Sequence, residues 1–215
     1  MNIAPYIDHT VLKPESTAQA VDVLCAEAVQ YGFASVCILP WHVARAAAIL
    51  RGGTVAVCTV VGFPLGASTT STKVAETIDA IERGAKEIDV VTSITALKSG
   101  MYDSVLDDLR SVCEVSHERD AIVKVIIETC LLTDDEKKRM CSIVTQSGAD
   151  YIKTSTGFST GGATLDDVRL LREKVGPNVL VKASGGIRDR TTALAMIEAG
   201  AARLGTSSGV LIVQG

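Results

Sequence analysis

Two lysines interrupt short apolar runs of this sequence. Lys153 lies in "DYIKTSTGF" and Lys182 in "VLVKASGGIR", and small hydroxyl residues and glycine follow each of them. An ordinary lysine, with a pKa of about 10.4, is a poor nucleophile at neutral pH. Burial and a neighbouring cation both disfavour the charged form, and a neutral lysine can attack a carbonyl to form a Schiff base. The pair therefore indicates imine chemistry, in which the iminium accepts electrons while a C–C bond beside it breaks or forms.

Three carboxylates are candidates for the same site. Asp89, in "KEIDVV", could balance the second ammonium and take part in proton transfer. Asp8 and Glu128 come at the ends of predicted strands, where a site carboxylate and a turn or salt-bridge residue are equally good interpretations. One lysine in a strand usually extends its ammonium group into solvent. Two lysines on neighbouring strands instead favour a functional site.

The elements that must position these residues form a regular alternation. Eight β-rich runs alternate with helical patterns roughly every 20–35 residues, the size of a βα unit. This pattern predicts an α/β fold, a single (β/α)8 TIM barrel over residues 1–215. A doubly wound sheet is the alternative, but no G-x-G-x-x-G motif is present. The predicted strands are Tyr6–Thr10, Ser35–Leu39, Val55–Val61, Glu87–Ser93, Val123–Thr129, Tyr151–Ser155, Val179–Ser184 and Arg203–Thr206.

Helix signals occupy the gaps between these strands. Thr133 and Glu136 form a capping box at the start of "TDDEKKRMCSIVTQSG", and Gly148 ends that helix. Only "VLIVQG" remains after the segment "RLGTSSG", so the final helix is expected to be very short or missing.

A barrel places its site at the carboxyl ends of the strands. Two-residue alternation puts Lys153 and Lys182 on the same side of adjacent strands, where they approach each other if that side faces inward. The loops after strands seven and eight, "ASGGIRD" and "LGTSSG", favour a phosphate site, because glycine lets backbone N–H groups approach an anion closely. These loops offer Gly185 and Gly186 after strand seven and Gly205, Thr206, Ser207, Ser208 and Gly209 after strand eight, and Thr156 and Gly157 after strand six could add to them.

Composition excludes other classes of protein. The 215 residues are 47% hydrophobic with a net charge of −4, and no basic run suggests nucleic acid. The N-terminus resembles no signal peptide, and apolar runs are far shorter than the ~20 residues that span a bilayer, so we expect a cytoplasmic protein. Six cysteines without C-x-x-C and three scattered histidines predict reduced, mostly buried thiols and no metal or other cofactor.

The motifs resemble those of the deoxyribose-phosphate aldolases over nearly the whole chain. They are "DHTVLKP", "VVGFPLGA", "EIDVV", "ALKSG", "KVIIETCLLT", "YIKTSTGF", "VKASGGIR" and "RLGTSSG", in the family's order. The resemblance implies a metal-free class I aldolase that reversibly cleaves 2-deoxy-D-ribose 5-phosphate to D-glyceraldehyde 3-phosphate and acetaldehyde. Its expected partners are thus a phosphorylated sugar and aldehydes, and a homodimer is left open.

The resemblance also implies residue roles. Lys153 would form the Schiff base, Lys182 would lower its pKa, and Asp89 would transfer protons through Lys182 and a water. The sequence departs from the family at Leu39, where Asn is common, and at Thr92, Ser93 and Thr95 in the loop after strand four. These departures keep two alternatives open: a related Schiff-base aldolase for another phosphorylated sugar, and a sugar-phosphate sensor without catalysis.

Overall fold

The computed structural model describes residues 1–215 and contains a closed barrel of eight parallel strands in sequence order. The predicted (β/α)8 barrel is therefore confirmed. The strands are β1 Ile7–Val11, β2 Ser35–Ile38, β3 Ala56–Val61, β4 Glu87–Val91, β5 Ile122–Ile126, β6 Tyr151–Lys153, β7 Leu180–Ser184 and β8 Arg203–Thr206.

Nine α-helices accompany the strands, mostly as a surrounding layer. They are α1 Ala18–Tyr31, α2 Val43–Ile49, α3 Thr70–Glu82, α4 Ile94–Lys98, α5 Tyr102–His117, α6 Asp134–Ser147, α7 Leu165–Lys174, α8 Arg190–Glu198 and α9 Gly209–Gln214. Short 3-10 turns occupy Ala4–Tyr6, Pro40–His42 and Thr129–Leu131. No helix combines the length and the apolar character needed to cross a membrane.

Local signals explain where several helices begin and end. Thr133 and Glu136 make the predicted capping box of α6, and Gly148 closes it with a φ of 85°. The last helix does form, but α9 has only six residues. Strand β5 ends at Ile126, earlier than predicted, and Glu128 just beyond it has a φ of 54°, a left-handed conformation that a pleated strand cannot hold.

The two faces of each strand have different environments. Outward side chains such as Ile88, Val90 and Val181 join a single cluster of 47 buried apolar residues between the barrel and its helices. Each such side chain contributes roughly 1.5–3 kcal/mol by leaving water. A separate cluster of four buried residues contains Leu12, just after β1, with Cys37 of β2 and Cys58 and Val60 of β3.

The cysteines follow the prediction with one exception. Cys25, Cys37, Cys58, Cys113 and Cys141 are buried free thiols. The exception is Cys130, which follows an apolar run in the sequence but is exposed, because it lies in the 3-10 turn after β5.

Candidate active site

Three strands bring the predicted imine residues together inside the barrel. Lys153 on β6 and Lys182 on β7 are direct neighbours in the sheet register. Both lysine Nζ atoms donate to the same oxygen, Oδ2 of Asp89 on β4, at 2.6 and 2.7 Å. The two amines therefore lie within the roughly 4–6 Å over which charges alter each other's protonation.

A third lysine, which the sequence analysis did not single out, belongs to the same cluster. Lys124 on β5 is fully buried, and its Nζ lies 2.9 Å from Oδ1 of Asp89 and 2.6 Å from Oε2 of Glu87. Its Nζ also lies 3.4 Å from Sγ of Cys58. The signal that pointed to Lys153, a lysine within an apolar strand, was present here too in "AIVKVII".

Asp8 on β1 and Arg203 on β8 complete the set of interior charges. Asp8 Oδ2 lies 2.5 Å from the Nζ of Lys182, and Asp8 Oδ1 accepts from the Arg203 guanidinium. The other side of that guanidinium donates to Glu87 Oε1 at 3.0 Å. Asp8, which the sequence left between a site residue and a turn residue, is thus a buried member of the charge cluster.

The ionisation of the cluster follows from its contacts. Burial alone would raise the pKa of Asp89, but Lys124, Lys153 and Lys182 together hold it well below its usual range. Burial likewise opposes the charge of Lys182, but Asp8 and Asp89 outweigh it and raise the pKa of this lysine. Asp89 is therefore a carboxylate and Lys182 an ammonium at neutral pH.

One cavity opens onto this cluster at the carboxyl ends of the strands. It has a volume of about 360 Å³, within the range of small-molecule sites. Lys153 is the member of the charge cluster that lines it. Of the predicted phosphate residues, those that line the cavity are Thr156, Gly157, Gly185, Gly186, Gly205, Thr206 and Ser207. Ser208 and Gly209 do not line it, and the backbone N–H of Ser208 donates to Thr206 Oγ1 at 2.9 Å.

The loop after β7 has the backbone that an anion site requires. Gly185 and Gly186 have φ values of 87° and 81°, which residues with a Cβ rarely adopt. Gly205 has a packing reason as well, because a Cβ there would lie 2.3 Å from Oγ of Ser184. Lys13 and Arg188 line the same cavity and add two cations that the sequence analysis did not name.

Glu128 holds the loop after β6 in place. Its carboxylate accepts from the backbone N–H of Thr156 at 3.2 Å and from the Thr156 hydroxyl. The same hydroxyl oxygen accepts from the N–H of Phe158 at 3.0 Å. Glu128 is nearly buried, so it positions cavity-lining residues from behind instead of facing the cavity.

The departures in the loop after β4 are partly explained. Ser93 is the N-cap of α4, accepting from the N–H of Ala96 at 3.4 Å. Thr92 is fully buried with an unpartnered hydroxyl, for which the structure gives no reason.

The comparisons with known proteins agree with this geometry. Residues 3–215 match the family described as "DeoC/LacD family aldolase". The chain is 57% identical over 215 residues to a deoxyribose-phosphate aldolase of Brevibacillus brevis, and 59% identical over 214 residues to one of Geobacillus sp.. In each case the match covers 100% of this chain and 96% of the relative. The deoxyribose phosphate aldolase of Aeropyrum pernix, solved as a tetramer, superposes with a TM-score of 0.92 at 34% identity, covering 99% of this chain and 89% of that one.

Proposed function

Because the chain belongs to the DeoC/LacD family of aldolases, we propose that it is a class I aldolase acting on 2-deoxy-D-ribose 5-phosphate. The reaction reversibly gives D-glyceraldehyde 3-phosphate and acetaldehyde, as a step in the breakdown of deoxyribose phosphate. Relatives named deoxyribose-phosphate aldolase, more than half identical over the full chain, support this substrate.

The observation that carries the chemistry is a charge imbalance inside the barrel. Four cations face three carboxylates, so one cation is in excess when all seven are ionised. Three of the cations contact at least two carboxylates each: Lys182 and Arg203 contact two, and Lys124 contacts three. Lys153 contacts only Asp89 and is the one that lines the cavity. Lys153 is therefore the interior cation with the fewest carboxylate partners and the one that a substrate in the cavity can reach, and we assign the nucleophilic amine to it.

The reaction then follows from this amine. Nζ of Lys153 adds to C1 of the open-chain sugar, and loss of water leaves an iminium. Removal of the proton from the C3 hydroxyl lets the C2–C3 bond break, and its electron pair moves into the iminium. The products are D-glyceraldehyde 3-phosphate and an enamine on the lysine. Protonation of C2 and hydrolysis by water release acetaldehyde and return the free amine.

The neighbours of Lys153 are suited to the proton transfers. Asp89 lies 2.6 Å from the Lys153 Nζ and 2.7 Å from the Lys182 Nζ, so it connects the imine position to a proton donor. We assign the proton transfers to Asp89 and Lys182, working with a water molecule.

The phosphate end of the substrate is assigned to the loops after β7 and β8. Gly185 and Gly186 offer close backbone approach, Ser207 adds a hydroxyl, and Lys13 and Arg188 supply positive charge in the same cavity. Ser208 was also predicted for this site. Its N–H already donates to Thr206 Oγ1, so only its hydroxyl could bind the phosphate.

Borohydride trapping tests the assignment. Incubation with deoxyribose 5-phosphate and borohydride should reduce an imine at Lys153, and peptide mass spectrometry locates the adduct. Lys153→Leu should lose both adduct and turnover, whereas Lys98→Leu, at an exposed lysine paired with Glu136, should keep both. A coupled assay measures acetaldehyde in parallel. Tight binding without acetaldehyde release would instead indicate a sugar-phosphate sensor.

Two further predictions concern the setting of the enzyme. The first is that the enzyme is cytoplasmic. The second concerns its assembly, for which a homodimer is the candidate that the sequence leaves open. Light scattering on the purified chain measures the assembly, and a monomeric mass at assay concentration would exclude the homodimer.

A further inference from the structure

Two phenylalanines meet across the mouth of the barrel. Phe63 lies in the turn after β3 and Phe158 in the loop after β6, with the strands β4 and β5 between them in the closed barrel. Their ring centroids are 5.2 Å apart at an interplanar angle of 85°, an edge-to-face contact. This aromatic bridge, Phe63 and Phe158, therefore spans the strands that carry Asp89 and Lys124.

Each ring stands on a loop that a carboxylate anchors. The N–H of Gly62, next to Phe63, donates to Glu76 Oε2 on α3 at 2.8 Å. On the other side, the N–H of Phe158 donates to the Thr156 hydroxyl, which Glu128 holds. The bridge is consequently fixed by the barrel on both sides, although Phe158 itself is 49% exposed.

The bridge borders one side of the substrate cavity. Phe158 and Leu12 line that cavity, and Phe63 packs against the small apolar cluster that contains Leu12 and Cys37. Cys37 and Cys58 of this cluster lie beside Asp89, at 4.0 and 3.1 Å from its oxygens. The cavity thus has a glycine-rich side at β7–β8 with two cations, and an apolar side formed by Leu12 and Phe158, behind which Phe63 packs.

We propose that the aromatic bridge of Phe63 and Phe158 determines the size of the aldehyde donor by closing the apolar side of the cavity. The inference rests on the proposed aldolase function. The phosphate fixes C5 of the sugar at the β7–β8 loops, and C1 is bonded to Lys153. The two-carbon donor part is then directed toward the bridge. Acetaldehyde fits this space, while a donor with an added methyl on the carbon that becomes the nucleophile meets the two rings.

Donor competition tests this proposal. The enzyme and its Phe158→Ala and Phe63→Ala variants are assayed for addition of acetaldehyde or propanal to D-glyceraldehyde 3-phosphate. One methylene in an apolar pocket changes kcat/KM by about 10–200-fold. The ratio of kcat/KM for propanal to that for acetaldehyde should therefore rise at least about tenfold in each variant. Because the rings form one barrier, the double variant should gain less than the product of the two single effects.

Leu65→Ala is the matched control, since Leu65 lies in the same loop as Phe63 but is 73% exposed. It should leave the donor ratio within twofold of the unmodified enzyme. A ratio that stays within twofold in both Phe variants, or that rises equally in Leu65→Ala, overturns the proposal. So does an unmodified enzyme that uses propanal as well as acetaldehyde. If Phe63→Ala does not fold, the half-exposed Phe158 still provides the test.

The two proposals fail separately. The aldolase assignment fails if the unmodified protein releases no acetaldehyde from deoxyribose 5-phosphate and forms no adduct at Lys153. The donor proposal is tested by the ratio of kcat/KM for propanal to that for acetaldehyde, which can be measured only if the protein is an active aldolase. Its failure therefore leaves the aldolase assignment intact.

Discussion

The inner and outer faces of the same strands have opposite chemical character. On β4, Glu87 and Asp89 face inward to lysines, whereas Ile88 and Val90 face outward into the aliphatic core. Alternation by two residues allows one five-residue strand to serve both environments. The outer face supplies hydrophobic stabilisation, while the inner face places seven charged groups where burial is unfavourable.

The difference teaches what the interior is for. Desolvating a charge costs several kcal/mol, and buried ion pairs often stabilise a fold no better than apolar residues of similar volume. A barrel selected for stability alone would fill its interior with aliphatic side chains, as many such barrels do. The charges inside this one are therefore better explained by the reactivity they give to Lys153 than by the stability they give to the fold.

After the loss of Lys153 itself, the largest expected effect comes from an inner-face lysine that does not touch the sugar carbonyl. Lys182→Met removes the proton donor, so kcat should fall by about 10²–10⁴-fold, the usual contribution of a positioned acid or base. Steady-state kinetics on deoxyribose 5-phosphate measure it. Lys98→Met, at an exposed lysine, provides the control. A kcat within tenfold of the unmodified enzyme would contradict the claim that the inner-face charges serve the reactivity of Lys153.

A stability effect follows at Lys124, which the cavity does not reach. Lys124→Met leaves Glu87 and Asp89 with one buried cation fewer, so the free energy of unfolding should fall by about 3–5 kcal/mol. Adding Glu87→Gln removes one of the carboxylates that lost this partner and should recover about 0.5–3 kcal/mol, a non-additivity typical of contacting groups. Urea unfolding measures both variants. Strict additivity would mean that these two charges do not interact.

The pH dependence of stability sharpens the comparison further. Burial would raise the pKa of Asp8, but Lys182, Lys124 and Arg203 hold it below its usual value. The carboxylate therefore stabilises the fold fully above the unfolded pKa of about 3.9, and this contribution is lost as the pH falls toward the lower folded value.

Asp8→Asn should consequently be less stable at pH 7 and should lose stability less steeply below about pH 4. The slopes should differ by up to roughly 1.4 kcal/mol per pH unit, the value for one proton. Urea unfolding between pH 7 and pH 3 measures the two curves. Parallel curves through the acid range would contradict the role assigned to Asp8.

The convergence of the strand residues could be predicted from the sequence, whereas the contacts between loops could not. Lys153, Lys182 and Asp89 could be placed together because two-residue alternation and the order of strands in a barrel determine which side chains converge. Lys124 is also a lysine within an apolar strand. It was missed because no glycine-rich loop follows it, whereas such loops follow Lys153 and Lys182. The contact between Phe63 and Phe158 depends on the conformations of two loops, for which side-chain alternation gives no rule.

The smallest expected effect comes from the outer face. Ile88→Val removes one methylene from a fully buried side chain one residue from Asp89, and should cost about 0.5–1.5 kcal/mol of unfolding free energy. We expect kcat to stay within twofold, because the Asp89 carboxylate is held by three lysines on the opposite side of the strand. Urea unfolding and steady-state kinetics on the same preparation measure the two quantities. A tenfold loss of kcat with so small a loss of stability would mean that outer packing sets the position of Asp89, and that the two faces of β4 are mechanically coupled instead of independent.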